Sequence, residues 1–526
     1  MQKEFNITGL CVPGKHYMVD TSRKISAVKA MVEQGKYFVI NRPRQYGKTT
    51  TLFLLRQELK KDNRYLVIST SFEGIDDPTH SDQKLFIPVF LNLLKKSLTF
   101  DKEKELTDFI NSQGPIQDFN SLSSLITGLV EEARRRIVFL IDEVDKSSNN
   151  RLFLDFLGML RAKYLDCTQG LDHTFHSVIL AGVHDVKTLK LKIRPESEAK
   201  YNSPWNIATD FDIDISFTAL EIQSILKDYA SEQQVSMDIP MMAEKLFYYT
   251  SGYPFLVSLL CKILDEKLMP EKDIKEWKEE DLEKAFQISL TRDNTNFESL
   301  IKNLENNPDL YNLVFSLVMN EMDLSFNPFN PIIDIGVLFG IFRNDKGKTR
   351  IHNRLYENLI YEYMTSKLES SGLISLSKYD TRSHYLLEDG TLDMEKVLLK
   401  FQQFMTEQYA IKDIQFIERN GRLLFLAFIK PIINGSGFDF KEVQVSAEKR
   451  IDVIVTFGSK KYIIELKLWR GDAYHQEGIR QLCDYLDRQN QVNGYLLIYD
   501  LRKESGQSGK TETIETSGKK IFAAWL

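Results

Sequence analysis

Cysteine is scarce in this chain: only four of 526 residues, Cys11, Cys167, Cys261 and Cys483, far apart and with no C-x-x-C pair. That spacing excludes a disulfide framework or a thiolate zinc site and fits reduced, buried thiols in a cytoplasmic protein. His173 and His176 have zinc-like spacing, but no further Cys or His cluster accompanies them. Long apolar runs are missing as well. Nothing approaches the roughly 20 apolar residues of a membrane span, and Met-Gln-Lys-Glu-Phe-Asn at the start has no signal-peptide core, so no membrane partner is expected. An excess of positive charge is the third absence. Lys and Arg number 68 against 74 Asp and Glu, a net charge of −6. This argues against wholesale coating of nucleic acid and leaves room for a local basic groove. What the chain does have is 43% hydrophobic and 27% charged residues, the balance of a globular protein with real cores. Its length implies two to four domains.

The chain is organised around Tyr37 to Leu55. A short apolar strand (Tyr37-Phe38-Val39-Ile40) leads into Asn41-Arg42-Pro43-Arg44-Gln45-Tyr46-Gly47-Lys48-Thr49-Thr50 and then an apolar-periodic helix. Strand, turn and helix start is the layout of a phosphate-binding loop. Backbone N–H groups of Arg44 to Thr50 wrap a polyphosphate, Lys48 reaches the β- and γ-phosphates, and the Thr49 hydroxyl ligates Mg²⁺. One glycine is lacking: Arg42 stands where the G-x-x-x-x-G-K-[ST] pattern has its first Gly. Pro43 can pre-set the turn instead, so a loop of slightly altered shape is expected.

A helix is expected over Ser22 to Glu33, a strand over Arg64 to Phe72, and helices over Gln83 to Ser97 and Leu122 to Arg136. The five apolar residues Ile137 to Ile141 then read as a central parallel strand, and Asp142-Glu143 lies at its carboxyl end, where open α/β sheets bind ligands. In that place Asp142 holds Mg²⁺ through water and Glu143 polarises the attacking water. Ser177 to His184 reads as the next strand. His184 at its end is either a γ-phosphate sensor or a turn histidine, and Arg194 is a candidate arginine finger. Phe211 to Phe217 alternates as a last core strand. Helices are expected from Thr218 to about Leu304. Residues 305 to 390 carry a hairpin pattern at Leu373 to Leu376 and His384 to Leu387, that of a winged helix. The basic stretch Arg343, Lys346, Lys348 and Arg350, followed by His352-Asn353, reads as a charged turn on an intramolecular lid or as a nucleic-acid-reading wing.

Arg42 to Thr49, the Leu140-Ile141-Asp142-Glu143 strand end and Ser251-Gly252-Tyr253-Pro254 together resemble the AAA-like ATPases allied to the STAND signalling class. The resemblance covers roughly residues 5 to 390. It implies a parallel α/β P-loop core over 1–217, a helical lid over 218–304 and a winged-helix-like domain over 305–390, the last two reporting the nucleotide state. The departure at Arg42 bears on hydrolysis rate more than on binding.

From about Glu395 the pattern changes to a helix, Glu395 to Gln408, and then strand-rich sequence with a tight loop at Asn434-Gly435-Ser436-Gly437. Arg450 to Trp469 reads as a hairpin about Gly458-Ser459-Lys460. Alternation puts Glu465 and Lys467 on one face of its second strand and Ile464, Leu466 and Leu468 on the other. With the turn at Ser459-Lys460, Phe457 pairs with Tyr462 and Asp452 lies opposite Lys467, so Asp452, Glu465 and Lys467 converge. Two carboxylates and an amine at that spacing can hold a divalent cation and position a hydrolytic water. They also describe an ordinary charged face of an amphipathic hairpin. Gln481 and Tyr485, four apart on the next helix, share a face beside them.

Pro431 to Gly435, Arg450-Ile451-Asp452, Ile464 to Gly471 and Gln481 to Leu486 resemble the PD-(D/E)XK nuclease superfamily. The resemblance implies an α/β restriction-endonuclease-like domain over 391–526 and metal-dependent phosphodiester cleavage, with Mg²⁺ or Mn²⁺. Asp452 and Glu465 are then metal ligands, Lys467 catalytic, Gln481 supporting, and Glu407 the glutamate of the first helix. The whole reads as an α/β multidomain ATPase–nuclease whose substrate is nucleic acid, DNA ahead of RNA, with a homo-oligomer open. Lys441, Lys449, Arg450, Lys460 and Arg470 are candidates for a local groove. By analogy alone such a pairing suggests a conditional defence effector. A regulatory nucleic-acid-binding protein without cleavage, and a DNA-driven motor, are the rival readings.

Overall fold

The computed structural model describes residues 3–76, 78–79, 82–144, 151–182, 207–209, 211–292, 294–319, 323–370, 385–387, 389–408, 421, 424–426, 428–429, 432, 444–446, 449–450, 453–457, 460–500 and 509–526. By packing the chain divides into two units, Met1–Asn306 with Phe326–Tyr356, and Asn307–Ser325 with Glu357–Leu526. The division runs through the 305–390 stretch.

The first unit is built on four strands, β1 (Phe38–Asn41), β2 (Tyr65–Ser71), β3 (Arg136–Asp142) and β4 (Ser177–Gly182). They form a sheet of order β1-β4-β3-β2, and every neighbouring pair is parallel. Parallel pairing requires crossover connections, and helices Lys48–Leu59, Gln83–Phe100, Phe119–Ala133 and Arg151–Thr168 supply them. The unbroken apolar runs suit strands with no wet side: Ile137 to Ile141 and Val178 to Ala181 have no exposure. Phe86, Phe90, Phe139 and Phe156 interlock in this core through ring contacts. Each such ring contributes about 1.5–3 kcal/mol on burial.

The expected strand at Phe211 to Phe217 does not form; this segment has no strand pairing, and a single bridge, Phe38 to Thr209, precedes it. The physical reason is a competing donor. The Arg42 guanidinium donates to the Phe211 and Ile213 carbonyls at 3.3 and 2.9 Å. Beyond it, helix Ala219–Gln233 opens on a Thr218/Glu221 capping box, and Ile239–Thr250 on an Asp238 cap. Pro254–Ile263 opens with its proline in the first turn. Glu279–Leu290, Thr295–Glu305 and Pro331–Leu338 follow in the same unit. A hairpin then pairs Phe342–Asp345 with Lys348–Ile351 around Lys346 and Gly347, both at positive φ. This hairpin occupies the stretch read from sequence as a basic turn. Residues 373–376 and His384, where a hairpin was expected, lie outside the described residues.

The second unit holds a five-stranded mixed sheet in the order Val453–Phe457, Lys460–Leu468, Asn493–Tyr499, Lys519–Trp525, Thr511–Thr516. Helix Asp472–Arg488 is the crossover between the parallel strands Lys460–Leu468 and Asn493–Tyr499. Its Ile479, Leu482 and Leu486 pack with Ile463, Leu496 and Ile498. Helix Met394–Gln408 covers the opposite face, where Val397, Phe401 and Phe404 meet Val455, Ile464 and Leu497. The hairpin register differs from expectation. Phe457 pairs with Lys460, not Tyr462, and Val453 with Ile464. The connection is two residues shorter than assumed; an even shift leaves each side chain on its expected face.

Candidate functional site

The phosphate loop follows β1 directly. Gly47, at φ +86°, is the N-cap of helix Lys48–Leu59, and no side chain caps that helix. A left-handed residue here favours glycine, and the uncapped first-turn N–H groups form an anion-binding helix start. Lys48 is buried, its ammonium donating to the carbonyls of Arg42 and Pro43 at 2.8 and 2.9 Å, curled into the loop. Thr49 is exposed, whereas the Thr50 hydroxyl accepts from the Cys11 N–H at 3.3 Å. Gln45, at φ +56°, donates to the Thr295 hydroxyl at 3.2 Å. The Arg42 guanidinium is committed to backbone carbonyls and lies over the Phe211 ring. This is how a bulky residue stands in place of the first glycine.

Several residues that touch the loop come from distant sequence. The Tyr253 hydroxyl donates to the Arg44 carbonyl at 2.5 Å, and its ring meets that of Tyr46 edge-on. The Tyr46 hydroxyl lies 3.2 Å from His352 Nε2. Burial pushes the His352 imidazole down to about 4; Arg343 adds to the depression and Asp214 opposes it. Arg343 donates to the Ser251 hydroxyl at 3.0 Å. A cavity of about 500 Å³ opens among Arg42, Pro43, Tyr46, Asp214, Arg343 and His352. Sequence periodicity carries no signal for these contacts. The phosphate-loop motif with Tyr46, the Ser251-Gly252-Tyr253-Pro254 motif, the basic stretch from Arg343 and the His352-Asn353 pair name most of the residues involved, but not that they meet.

At the end of β3, Asp142 is nearly buried, and its Oδ1 accepts from the Glu143 N–H at 2.9 Å. Glu143 has φ +54°, a left-handed turn costing a non-glycine residue about 1–2 kcal/mol. Asp142 and Thr49 supply hard oxygen donors of the kind Mg²⁺ takes. His184 and Arg194 lie outside the described residues. His176, one of the zinc-spaced pair, lies with its ring 5.9 Å from that of Tyr65, tilted by 38°.

A second cluster lies in the C-terminal sheet. Glu465 and Lys467 emerge on the same side of their strand, toward helix Asp472–Arg488. The Lys467 ammonium is 2.8 Å from Glu465 Oε1, with side-chain exposures of 19% and 1%. Gln481 Oε1 accepts from Lys467 at 3.4 Å, so one turn of the helix reaches the pair. The Lys467 stem runs along Gly478, where a Cβ would lie 3.4 Å from its Cε. Tyr485, one turn on from Gln481 in the same helix, is buried. Asp452 lies outside the described residues, and position 407 falls within helix Met394–Gln408. The buried Glu465 carboxylate is an oxygen donor suited to Mg²⁺ or Mn²⁺. Among the described residues no group of three His, Cys, Asp or Glu converges. Of the proposed groove, Lys441 lies outside the described residues, while Lys460 pairs with Asp389 at 3.2 Å.

A family model described as an AAA-like domain matches residues 12–362. It spans the phosphate loop, the end of β3 and the 342–351 hairpin and stops short of the C-terminal sheet. Among solved structures the chain is similar to a Walker-type ATPase of Pyrococcus abyssi, at 11% identity over 68% of this chain and 99% of that one, TM-score 0.47. It is similar to the ORC2 protein of Aeropyrum pernix, at 12% identity over 68% and 98%, TM-score 0.36. It is also similar to the RuvB Holliday junction branch migration motor of Thermotoga maritima, at 14% identity over 65% and 95%, TM-score 0.31. No curated protein matches the chain.

Proposed function

We propose, for a chain that belongs to the AAA-like domain family, that an ATP-binding switch in its first unit controls a metal-dependent nuclease in its second. In the switch, the N–H groups of the 44–50 loop hold the phosphates, Lys48 leaves the Arg42 and Pro43 carbonyls to engage them, and Glu143 orients the attacking water. Thr49 and Asp142 would hold Mg²⁺, which neutralises phosphate charge when bound. Tyr253, before helix Pro254–Ile263, holds the Arg44 carbonyl, and Tyr46 meets His352, the residue that follows the 342–351 hairpin, so a change of loop shape is felt at both. The helical lid and winged-helix-like assignments belong to this reading.

The observation carrying the nuclease half is the convergence of Glu465, Lys467 and Gln481 on one side of the sheet. Glu465 with Asp452 would hold the divalent cation. Lys467 orients the water and its positive charge favours loss of the water's proton, and the Gln481 carbonyl fixes the Lys467 ammonium. The substrate is nucleic acid, DNA by preference. The test is cleavage of plasmid, linear and single-stranded substrates with Mg²⁺ or Mn²⁺ by wild type, Lys467→Ala and Glu465→Gln. Metal-dependent cleavage lost in both variants is expected. Absence of cleavage with either metal, in protein that still binds ATP, would overturn the nuclease and favour a nucleic-acid-binding regulator.

A further inference from the structure

The strand bearing Glu465 and Lys467 reaches helix Asp472–Arg488 through only three residues, Trp469, Arg470 and Gly471. That connection is pinned. The Trp469 N–H donates to the Tyr499 carbonyl at 2.9 Å, and its ring packs 4.8 Å from Trp525 and 5.5 Å from His475. Tyr474, in the first turn of the helix, stays 39% exposed. Lys467 Nζ lies 5.7 Å from the centre of its ring and the Arg470 guanidinium 5.9 Å. One ring thus gathers the amine of the proposed active site and a second cation, on a rigid support.

We propose that Tyr474 and Arg470 grip the strand beside the cleavage site, and that the strand they take is single. This inference rests on the nuclease reading and adds the substrate class. In a duplex the faces of the bases are covered by their neighbours, and a ring beside the scissile phosphate has no base face to meet. An unpaired strand presents those faces, and base-on-aromatic stacking next to cations is how proteins hold single strands without reading sequence. Tyr474 stacks on a base flanking the scissile phosphate, and Arg470 takes an adjacent phosphate while Lys467 serves the reacting one.

The test uses the full chain and one oligonucleotide sequence, single-stranded and as a duplex, with Mg²⁺ for cleavage and Ca²⁺ for binding by anisotropy across a salt series. Wild type is expected to cut the single strand faster. Tyr474→Ala should weaken single-strand binding by about tenfold while Tyr474→Phe stays near wild type. Arg470→Ala should reduce the salt slope by about 0.7. Circular dichroism and urea unfolding of Tyr474→Ala that match wild type show that the variant is folded. Equal or faster duplex cleavage by wild type, or Tyr474→Ala that binds the single strand as wild type does, would overturn this inference and leave the nuclease standing. No cleavage of either form would overturn both.

Discussion

Gly252 is the position where one methyl group should do most damage. It has φ +71°, and a Cβ placed on it would lie 1.8 Å from the Phe217 carbonyl oxygen and 2.9 Å from the Phe217 nitrogen. That nitrogen donates to the Gly252 carbonyl at 2.8 Å. In Gly252→Ala the left-handed backbone costs about 1–2 kcal/mol. The obstacle is backbone, which cannot rotate aside, so Phe217 must move and its hydrogen bond, worth about 1 kcal/mol, is lost. Displacing the buried Tyr253 next door adds a packing cost, for a total of about 3–5 kcal/mol. The damage should also reach the ligand, because Tyr253 donates to the Arg44 carbonyl of the phosphate loop. Urea unfolding by circular dichroism and ATP titration measure the two effects. Gly158→Ala is the control: it sits inside helix Arg151–Thr168 with nothing within 4 Å of its would-be Cβ. It should be neutral or stabilising by up to about 1 kcal/mol. If both variants unfold at the wild-type midpoint and bind ATP equally, the account of this junction is wrong.

Other perturbations follow from the same geometry. Arg42→Gly restores the usual loop pattern but removes the donor to the Phe211 and Ile213 carbonyls; a stability loss of about 2–4 kcal/mol with no gain in ATP affinity is expected, by urea unfolding and titration. Because His352 is depressed to about 4 from 6.5, the folded state binds fewer protons than the unfolded chain. Its contribution is complete above the unfolded value and is lost as pH falls from about 6.5 toward 4, so the urea midpoint should drop on acidification and His352→Gln should flatten that slope. Lys48→Ala should abolish the rise in melting temperature that ATP·Mg²⁺ gives the wild type, since a ligand stabilises only what it binds.

Much of the site could be read from the chain because short-range rules govern it. Unbroken apolar runs gave β3 and β4, and Gly47-Lys48-Thr49 gave the loop that follows β1. Alternation put Glu465 and Lys467 together, and a register error of two residues did not matter because the period of a strand is two. The failures are long-range. Phe-Asp-Ile-Asp-Ile-Ser-Phe alternates like a strand, yet its carbonyls are taken by Arg42, 169 residues earlier. The 342–351 hairpin was hidden because its turn, Lys346-Gly347, is flanked by charges that read as a basic loop. The contact of Tyr46 with His352 crosses 306 residues and leaves no trace in local pattern.

The central claim is that the first unit governs the second, and the most direct measurement is metal-dependent cleavage with and without ATP in wild type, Lys48→Ala and Lys467→Ala. The account predicts a cleavage rate that changes with ATP in wild type, does not change in Lys48→Ala, and is absent in Lys467→Ala. A rate indifferent to ATP in wild type, or an ATP response that survives Lys48→Ala, would contradict it.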